Sequence, residues 1–222
     1  MDRVYTNSGN SPLIALLGGG CARVLDVGCG AGDNAALIAR RFPGCRVDGI
    51  THSHAEAALA RSRMANCWVL NIEDEIPAEI RANSYDALIF SHVLEHLRDP
   101  AQTVASYSGL LSGAGVLLIA VPNVVSWRMR LQILAGDFTY TDMGPLDSTH
   151  LRFFTFHTAD KFLLAASPNL QMRSKKAHGS FPLWWLRRHL LPAAFCDRID
   201  AAACRVWPNL FGEQVILEVA KL

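Results

Sequence analysis

The sequence predicts an α/β domain: a seven-stranded, mainly parallel sheet with helices on both faces. Three observations predict it. Apolar runs alternate with helically spaced stretches from Val24 to Val121, in the order β-α-β-α-β-α-β-α-β. The strand runs are continuously apolar, as a sheet covered on both faces requires. The first run ends in glycines at alternating positions, Gly28, Gly30 and Gly32, immediately before helical periodicity resumes at Ala35.

Residues 1–20 read as a short lead-in helix and a hinge at Gly18-Gly-Gly20. Val24–Val27 is the first strand, and the helix after the glycine turn runs to about Arg41. Pro43-Gly44 is a turn, and Arg46–Thr51 the second strand. Ser53 N-caps a helix reaching about Ala65. Trp68–Leu70 is a short third strand, Pro77 lies in a loop, and Tyr85–Phe90 is the fourth strand. His92–Leu97 reads as helical. Asp99 then caps a helix with Pro100 at its first position, running to about Leu111. Val116–Val121 is the fifth strand, closed by Pro122. Regularity then breaks over residues 123–155. A helix is expected over Thr158–Ala166 and a strand over Leu170–Lys176. A second irregular block covers residues 180–208, and Gln214–Lys221 alternates as a final strand. The organisation is a single domain, 1–222, with a core of about 21–122, 156–179 and 213–222. Two cap insertions occupy about 123–155 and 180–212.

Composition narrows the partners. The chain has 222 residues, half of them apolar, and a net charge of +1, so charge alone implies no polyanion partner. No stripe of bases and aromatics suited to nucleic acid is evident. No apolar run reaches membrane-span length, and Met1–Gly20 lacks a signal pattern, so a cytoplasmic location is expected. The six cysteines are scattered without a C-x-x-C pair and read as small buried residues in a reducing compartment.

The glycine turn carries the first chemistry. Glycines let the backbone take positive φ or press against a ligand, and the turn aims the first amides of the next helix at that ligand. A dinucleotide fingerprint needs glycine at the position held by Asp33, and a P-loop needs a G-K-[ST] that is absent. What remains is D-x-G-x-G-x-G from Asp26 to Gly32. This resembles the first motif of the class I S-adenosylmethionine-dependent methyltransferases, whose fold is Rossmann-like.

Further motifs extend the resemblance. Tyr85–Pro100, with Val93-Leu-Glu-His-Leu97, resembles the family's fourth-strand motif, and Gly113–Pro122 its fifth. Pro122-Asn123, the run Leu146–Thr155, and Trp207–Gly212 are similar to a subgroup near small-molecule, sugar-pathway and MetW-like methyltransferases. The resemblance implies S-adenosylmethionine as cofactor, leaving as S-adenosylhomocysteine. It places Asp26, Gly28, Cys29, Gly30 and Gly32 along the methionine and ribose. Thr51 and His52 fall at the ribose position, where the family usually has an acidic residue. Asn71, Ile72 and Glu73 fall near the adenine, and Ser91 and His92 at the end of the fourth strand.

Methyl transfer from a sulfonium is an in-line displacement that the protein mainly aligns. A hydroxyl or ammonium acceptor also needs a base, and histidine suits neutral pH. His96 and His150 are the candidate catalytic bases; the other reading is that each is structural. The residues His92, Glu95, His96 and His150 also make an N/O metal set. Ubiquinone-pathway and small-RNA 2′-O-methyltransferases are similar in a Glu-x-x-Glu-His segment used with a divalent metal. His92 replaces the first glutamate here, and no metal ligand is assigned. Arg128, Arg130 and Arg152 point either to an acidic or phosphorylated acceptor or to solvated surface. Trp184–Leu191 reads as a packed cap helix, a lid, or a partner or membrane-facing patch.

The expected function is methyl transfer to a small molecule, at oxygen first and nitrogen second. The rival is a MetW-like protein that binds cofactor or partner with little catalysis. A nicotinamide oxidoreductase is disfavoured by Asp33, and a homodimer is left open.

Overall fold

The computed structural model describes Val4, residues 7–182 and residues 192–222. The predicted Trp184–Leu191 cluster lies outside the described residues. Seven strands form one sheet in the order β3-β2-β1-β4-β5-β7-β6. They are β1 Arg23–Val27, β2 Arg46–Thr51, β3 Asn66–Val69, β4 Tyr85–Ser91, β5 Leu111–Pro122, β6 Leu170–His178 and β7 Gln214–Lys221. The first five run parallel, and β7 inserts antiparallel between β5 and β6. Strand order reverses between β1 and β4, and in such sheets the crevice beyond the carboxyl ends at that point receives ligands.

Both faces of the sheet are dry. Leu25, Val27, Ile50, Leu88, Phe90, Leu117 and Ile119 pack on one side. Val24, Val47, Ala87, Ile89, Leu118 and Ala120 pack on the other. The largely apolar runs have this cause: neighbouring residues of a strand point to opposite covered faces, and the buried exceptions, Asp26 and Asp48, accept hydrogen bonds from Asn34 and from Arg23 and Asn66.

The helices are α1 Ser11–Ile14, α2 Asp33–Arg41, α3 His54–Ala60, α4 Ala78–Arg81, α5 Pro100–Ser108, α6 Trp127–Leu134, α7 Ala159–Leu163, α8 Ala193–Val206 and α9 Pro208–Phe211. Ser53 and Asp99 cap α3 and α5 through their side chains, as expected. Several boundaries differ from expectation. The helix expected to Ala65 stops at Ala60, because the Ala65 amide already bonds to Val47 in the sheet. α4 forms where a loop was expected, with Ile80 fully buried. His92–Leu97 holds one 3₁₀ turn, Leu94–His96, because His92 has φ 53° and Val93, at φ −132° and ψ −32°, is not helical either. β5 starts at Leu111, and a register shift against Tyr85–Ala87 takes up the extra residues.

The segment after β5 is stitched to the chain before β7. The Asn123 amide bonds to Glu213 O, and its side chain donates to Gly212 O at 2.7 Å. Asn209 accepts from the Phe156 amide at 2.7 Å. Residues of α6 and of 143–150 therefore sit over the carboxyl ends of β1, β4 and β5. Among the described residues no helix is long and apolar enough to cross a membrane.

Candidate active site

One cavity of about 1190 Å³ opens at the carboxyl end of the sheet. A pocket for a single drug-sized ligand is roughly 300–1000 Å³, so this one has room for a cofactor-sized and a smaller molecule together. Its floor is the glycine turn. Gly28, Gly30 and Gly32 have φ of 81°, 52° and 83°, values that side chains rarely adopt. At Gly28 a Cβ would also lie 2.5 Å from Val93 Cγ2. The Gly28 and Cys29 amides both donate to Ile50 O, pinning the turn to β2.

Ten of the predicted cofactor residues border this cavity: Gly28, Cys29, Gly30, Thr51, His52, Asn71, Ile72, Glu73, Ser91 and His92. Asp26 and Gly32 do not; they support it from behind. Asp26 is fully buried and accepts from Asn34 Nδ2 at 3.3 Å. Burial pushes its carboxyl up to about 7, against the pull of the Asn34 hydrogen bond. Gly32 packs its Cα side on Ala60.

α3 brings a carboxylate to the end of β2, where the strand itself has none. Thr51 donates to Glu56 Oε2 at 2.7 Å, and both residues are buried and border the cavity. Glu56 was missed in the sequence, although Ser53-His-Ala-Glu56 is a capping-box pattern. The Glu56 amide does bond to Ser53 Oγ, but its carboxylate turns to Thr51. The N-terminal segment was missed as well. The Asn10 backbone N–H donates to Asn34 Oδ1, and its side chain donates to Gln214 Oε1 at 2.8 Å. Gln214 also receives His92 Nε2 at 3.0 Å. These bonds close the cavity wall between β1, β4 and β7.

The histidines converge on Glu95, which is 1% exposed. His92 Nδ1 lies 3.5 Å and His150 Nε2 3.9 Å from Glu95 Oε1. Burial works against charge on His92, but the Glu95 carboxylate and the Gln214 bond outweigh it and raise its pKa. Burial holds His96 below the ordinary imidazole range, more than Glu95 raises it. The His96 and His150 rings meet edge-on, with centroids 4.6 Å apart. The Glu95 carbonyl accepts the Leu151 and Arg152 amides, which brings residues 146–152 over the 3₁₀ turn.

Hydrogen-bond direction fixes the tautomers. Thr149 Oγ1 donates its one proton to Asp147 Oδ1 at 2.7 Å. It must therefore accept from His96 Nδ1, 2.9 Å away. His150 Nδ1 faces the Pro145 carbonyl at 3.2 Å, which only accepts. Each neutral ring then carries its proton on Nδ1 and a bare lone pair on Nε2. Glu95, His96 and His150 present ligand atoms within 4.8 Å of one another, and Glu95 Oε2 is buried with no partner among the described residues.

The three arginines separate. Only Arg128 borders the cavity, 3.3 Å from Glu213 Oε1 and stacked on Trp127. Arg130 Nε donates to Val125 O, and Arg152 to the Arg98 and Leu151 carbonyls.

Known proteins give this geometry a context. Residues 8–166 match the family model described as a methyltransferase domain. A trans-aconitate 2-methyltransferase of Escherichia coli O17:K52:H18 is 32% identical over 133 residues, 57% of this chain and 51% of the relative. The chain thus spans about half the length of the curated relatives it matches. A SAM-dependent methyltransferase from Archaeoglobus fulgidus superposes with a TM-score of 0.58 at 19% identity, over 92% of this chain and 87% of that one. One from Thermotoga maritima, titled a possible histamine N-methyltransferase, superposes with a TM-score of 0.61 at 15% identity, over 95% and 86%. At these identities the structures share the fold.

Proposed function

The chain belongs to the methyltransferase-domain family, and from that premise we propose that it transfers a methyl group from S-adenosylmethionine to a small molecule, at a hydroxyl or carboxylate oxygen. The residues fit the cofactor. Gly28 and Gly30, at positive φ, give the cavity a backbone floor, Glu56 brings a carboxylate to the end of β2, and Asn71–Glu73 line the same cavity. A carboxylate can accept from both ribose hydroxyls. The bound cofactor supplies an activated methyl group, so the chain's part is to align the acceptor and, where that is a hydroxyl, to remove its proton.

The bare His96 Nε2 is the observation that carries the O-methylation reading. Asp147 and Thr149 hold the Nδ1 proton in place, and the lone pair is left to take a proton from an acceptor hydroxyl. His150 is the second base candidate, with Glu95 beside its Nε2 to stabilise the charged ring. Neither a neutral amine nor a carboxylate needs such a base, so the lone pair speaks for a hydroxyl, and nitrogen acceptors are the lesser alternative. Among the described residues, Arg128 is the arginine at the cavity on which an acidic acceptor would rest. The similarity to trans-aconitate 2-methyltransferase supports including carboxylates among the acceptors tried.

The test is release of S-adenosylhomocysteine with panels of hydroxyl, carboxylate and amine acceptors, repeated with His96→Ala and His150→Ala. A loss of roughly 10²-fold or more in turnover for one variant assigns the base. Near-normal turnover in both sinks it. If the protein binds S-adenosylhomocysteine and no acceptor reacts, the rival reading of a cofactor-binding partner protein stands instead.

A second reading has its own observation. Glu95, His96 and His150 offer ligand atoms within 4.8 Å of one another and Glu95 Oε2 is orphaned, and such a donor set suits a divalent cation. A cation there would polarise an acceptor oxygen. Metal analysis of the purified protein, with activity compared before and after chelation, separates this from the metal-free reading.

A further inference from the structure

The glycine turn contains a thiol with a partner. Cys29 borders the cavity, and its Sγ lies 3.9 Å from Cys67 Sγ. The two come from opposite sides of β2: Cys29 follows β1, and Cys67 lies on β3 in register with Gly49. They meet because Gly49 has no side chain. A Cβ there would lie 2.8 Å from Cys29 Sγ and would run into Met64 Sδ. Cys29 is buried and Cys67 half-buried, so a small oxidant reaches the pair from the Cys67 side. The Cys29 hydrogen bond, with Arg61 nearby, lowers the Cys67 pKa despite partial burial, and the thiolate is the reactive form.

We propose that Cys29 and Cys67 form a reversible disulfide under peroxide, and that this bond weakens cofactor binding by tying the glycine turn to β3. The chemistry balances in two steps. Cys67 sulfur attacks hydrogen peroxide, breaking O–O, becoming a sulfenic acid and releasing water. Cys29 sulfur then attacks the Cys67 sulfur, forming S–S and releasing a second water with the Cys29 proton. Two thiols are oxidised and one peroxide reduced. The sulfurs must close from contact to the roughly 2 Å of a disulfide, and the turn that holds Cys29 is the part that faces the cavity. The gating half rests on the proposed cofactor reading; the cross-link does not.

The experiment uses the full chain, reduced and then treated with hydrogen peroxide. Expected are the loss of two hydrogens by intact mass and a Cys29–Cys67 linked peptide. S-adenosylhomocysteine binding should be at least roughly tenfold weaker by calorimetry, and dithiothreitol should restore it. Cys67→Ser and Cys67→Ala, which leave the cavity lining intact, should bind as the reduced wild type does and resist peroxide. A linked Cys21–Cys45 peptide in place of Cys29–Cys67, oxygen adducts without a link, or a link with unchanged affinity each overturns the proposal. Failure of the reduced protein to bind S-adenosylhomocysteine overturns the cofactor reading and the gating with it, while the peptide map still reads the cross-link.

Discussion

The Thr149 hydroxyl donates to Asp147 and therefore receives the Nδ1 proton of His96. One short side chain, from the segment after β5, thus sets the tautomer of a histidine on the turn after β4. Thr149→Val keeps the shape but removes the acceptor for that proton. Turnover should fall roughly 10- to 100-fold, within the range of misplaced general bases, with little change in KM. Thr149→Ser should restore most of it. Steady-state kinetics with a hydroxyl acceptor that the panel identifies check both variants, and equal losses in Ser and Val variants would reduce Thr149 to packing.

Glu56 stands where the end of β2 lacks a charge. Glu56→Gln should weaken S-adenosylhomocysteine binding by roughly 10- to 100-fold, the scale of one charge-assisted hydrogen bond at about 1.5–3 kcal/mol. Calorimetry reads this directly. Thr51→Val should cost less, because it removes only the hydroxyl that orients Glu56.

Gly28 faces Val93 at 2.5 Å from its missing Cβ, with φ 81°. Gly28→Ala should lower stability by about 1–3 kcal/mol through left-handed backbone strain and the clash together. Adding Val93→Ala removes the Cγ contacts but leaves the Val93 Cβ 2.8 Å away, together with the backbone strain. Denaturant unfolding of the two single variants and the double should therefore show partial rescue; full additivity would mean that the two positions do not meet.

Asp26 sets a pH dependence of stability. Its folded pKa of about 7 lies above the ordinary value of 3.8, so the folded state holds a proton that the unfolded chain has released. Stability is then greatest at low pH, falls as pH rises between those two values, and stays reduced above pH 7. Asp26→Asn keeps a partner for Asn34 and removes the titration. It should be the more stable protein at pH 8, with the advantage shrinking toward pH 5. Urea unfolding at both pH values checks this, and a pH-independent difference would contradict it.

The sheet was legible because its cause is local. Val116–Val121 is apolar throughout, and Val24–Val27 and Tyr85–Phe90 are apolar on both faces apart from Asp26 and Asp86; a parallel sheet is the structure that hides them. The glycine turn was legible because few backbone conformations use three alternating glycines. Glu56 was not, since its spacing from Ser53 reads as a helix cap and only the fold shows its carboxylate turning to Thr51. The Asp147–Thr149–His96 relay was not, because it joins segments far apart in sequence through a loop without periodicity. The 3₁₀ turn was misread as a longer helix: nothing in Ser91-His92-Val93 signals a positive φ at a histidine. Arg130 and Arg152 looked available because a sequence does not show which backbone carbonyls need a donor.

The central claim is that the cavity over Gly28–Gly32 holds the methyl donor. Calorimetry of the reduced protein with S-adenosylhomocysteine tests it most directly. The account predicts saturable one-to-one binding that Glu56→Gln weakens. No heat with S-adenosylhomocysteine, or selective binding of a nicotinamide dinucleotide in its place, would contradict it.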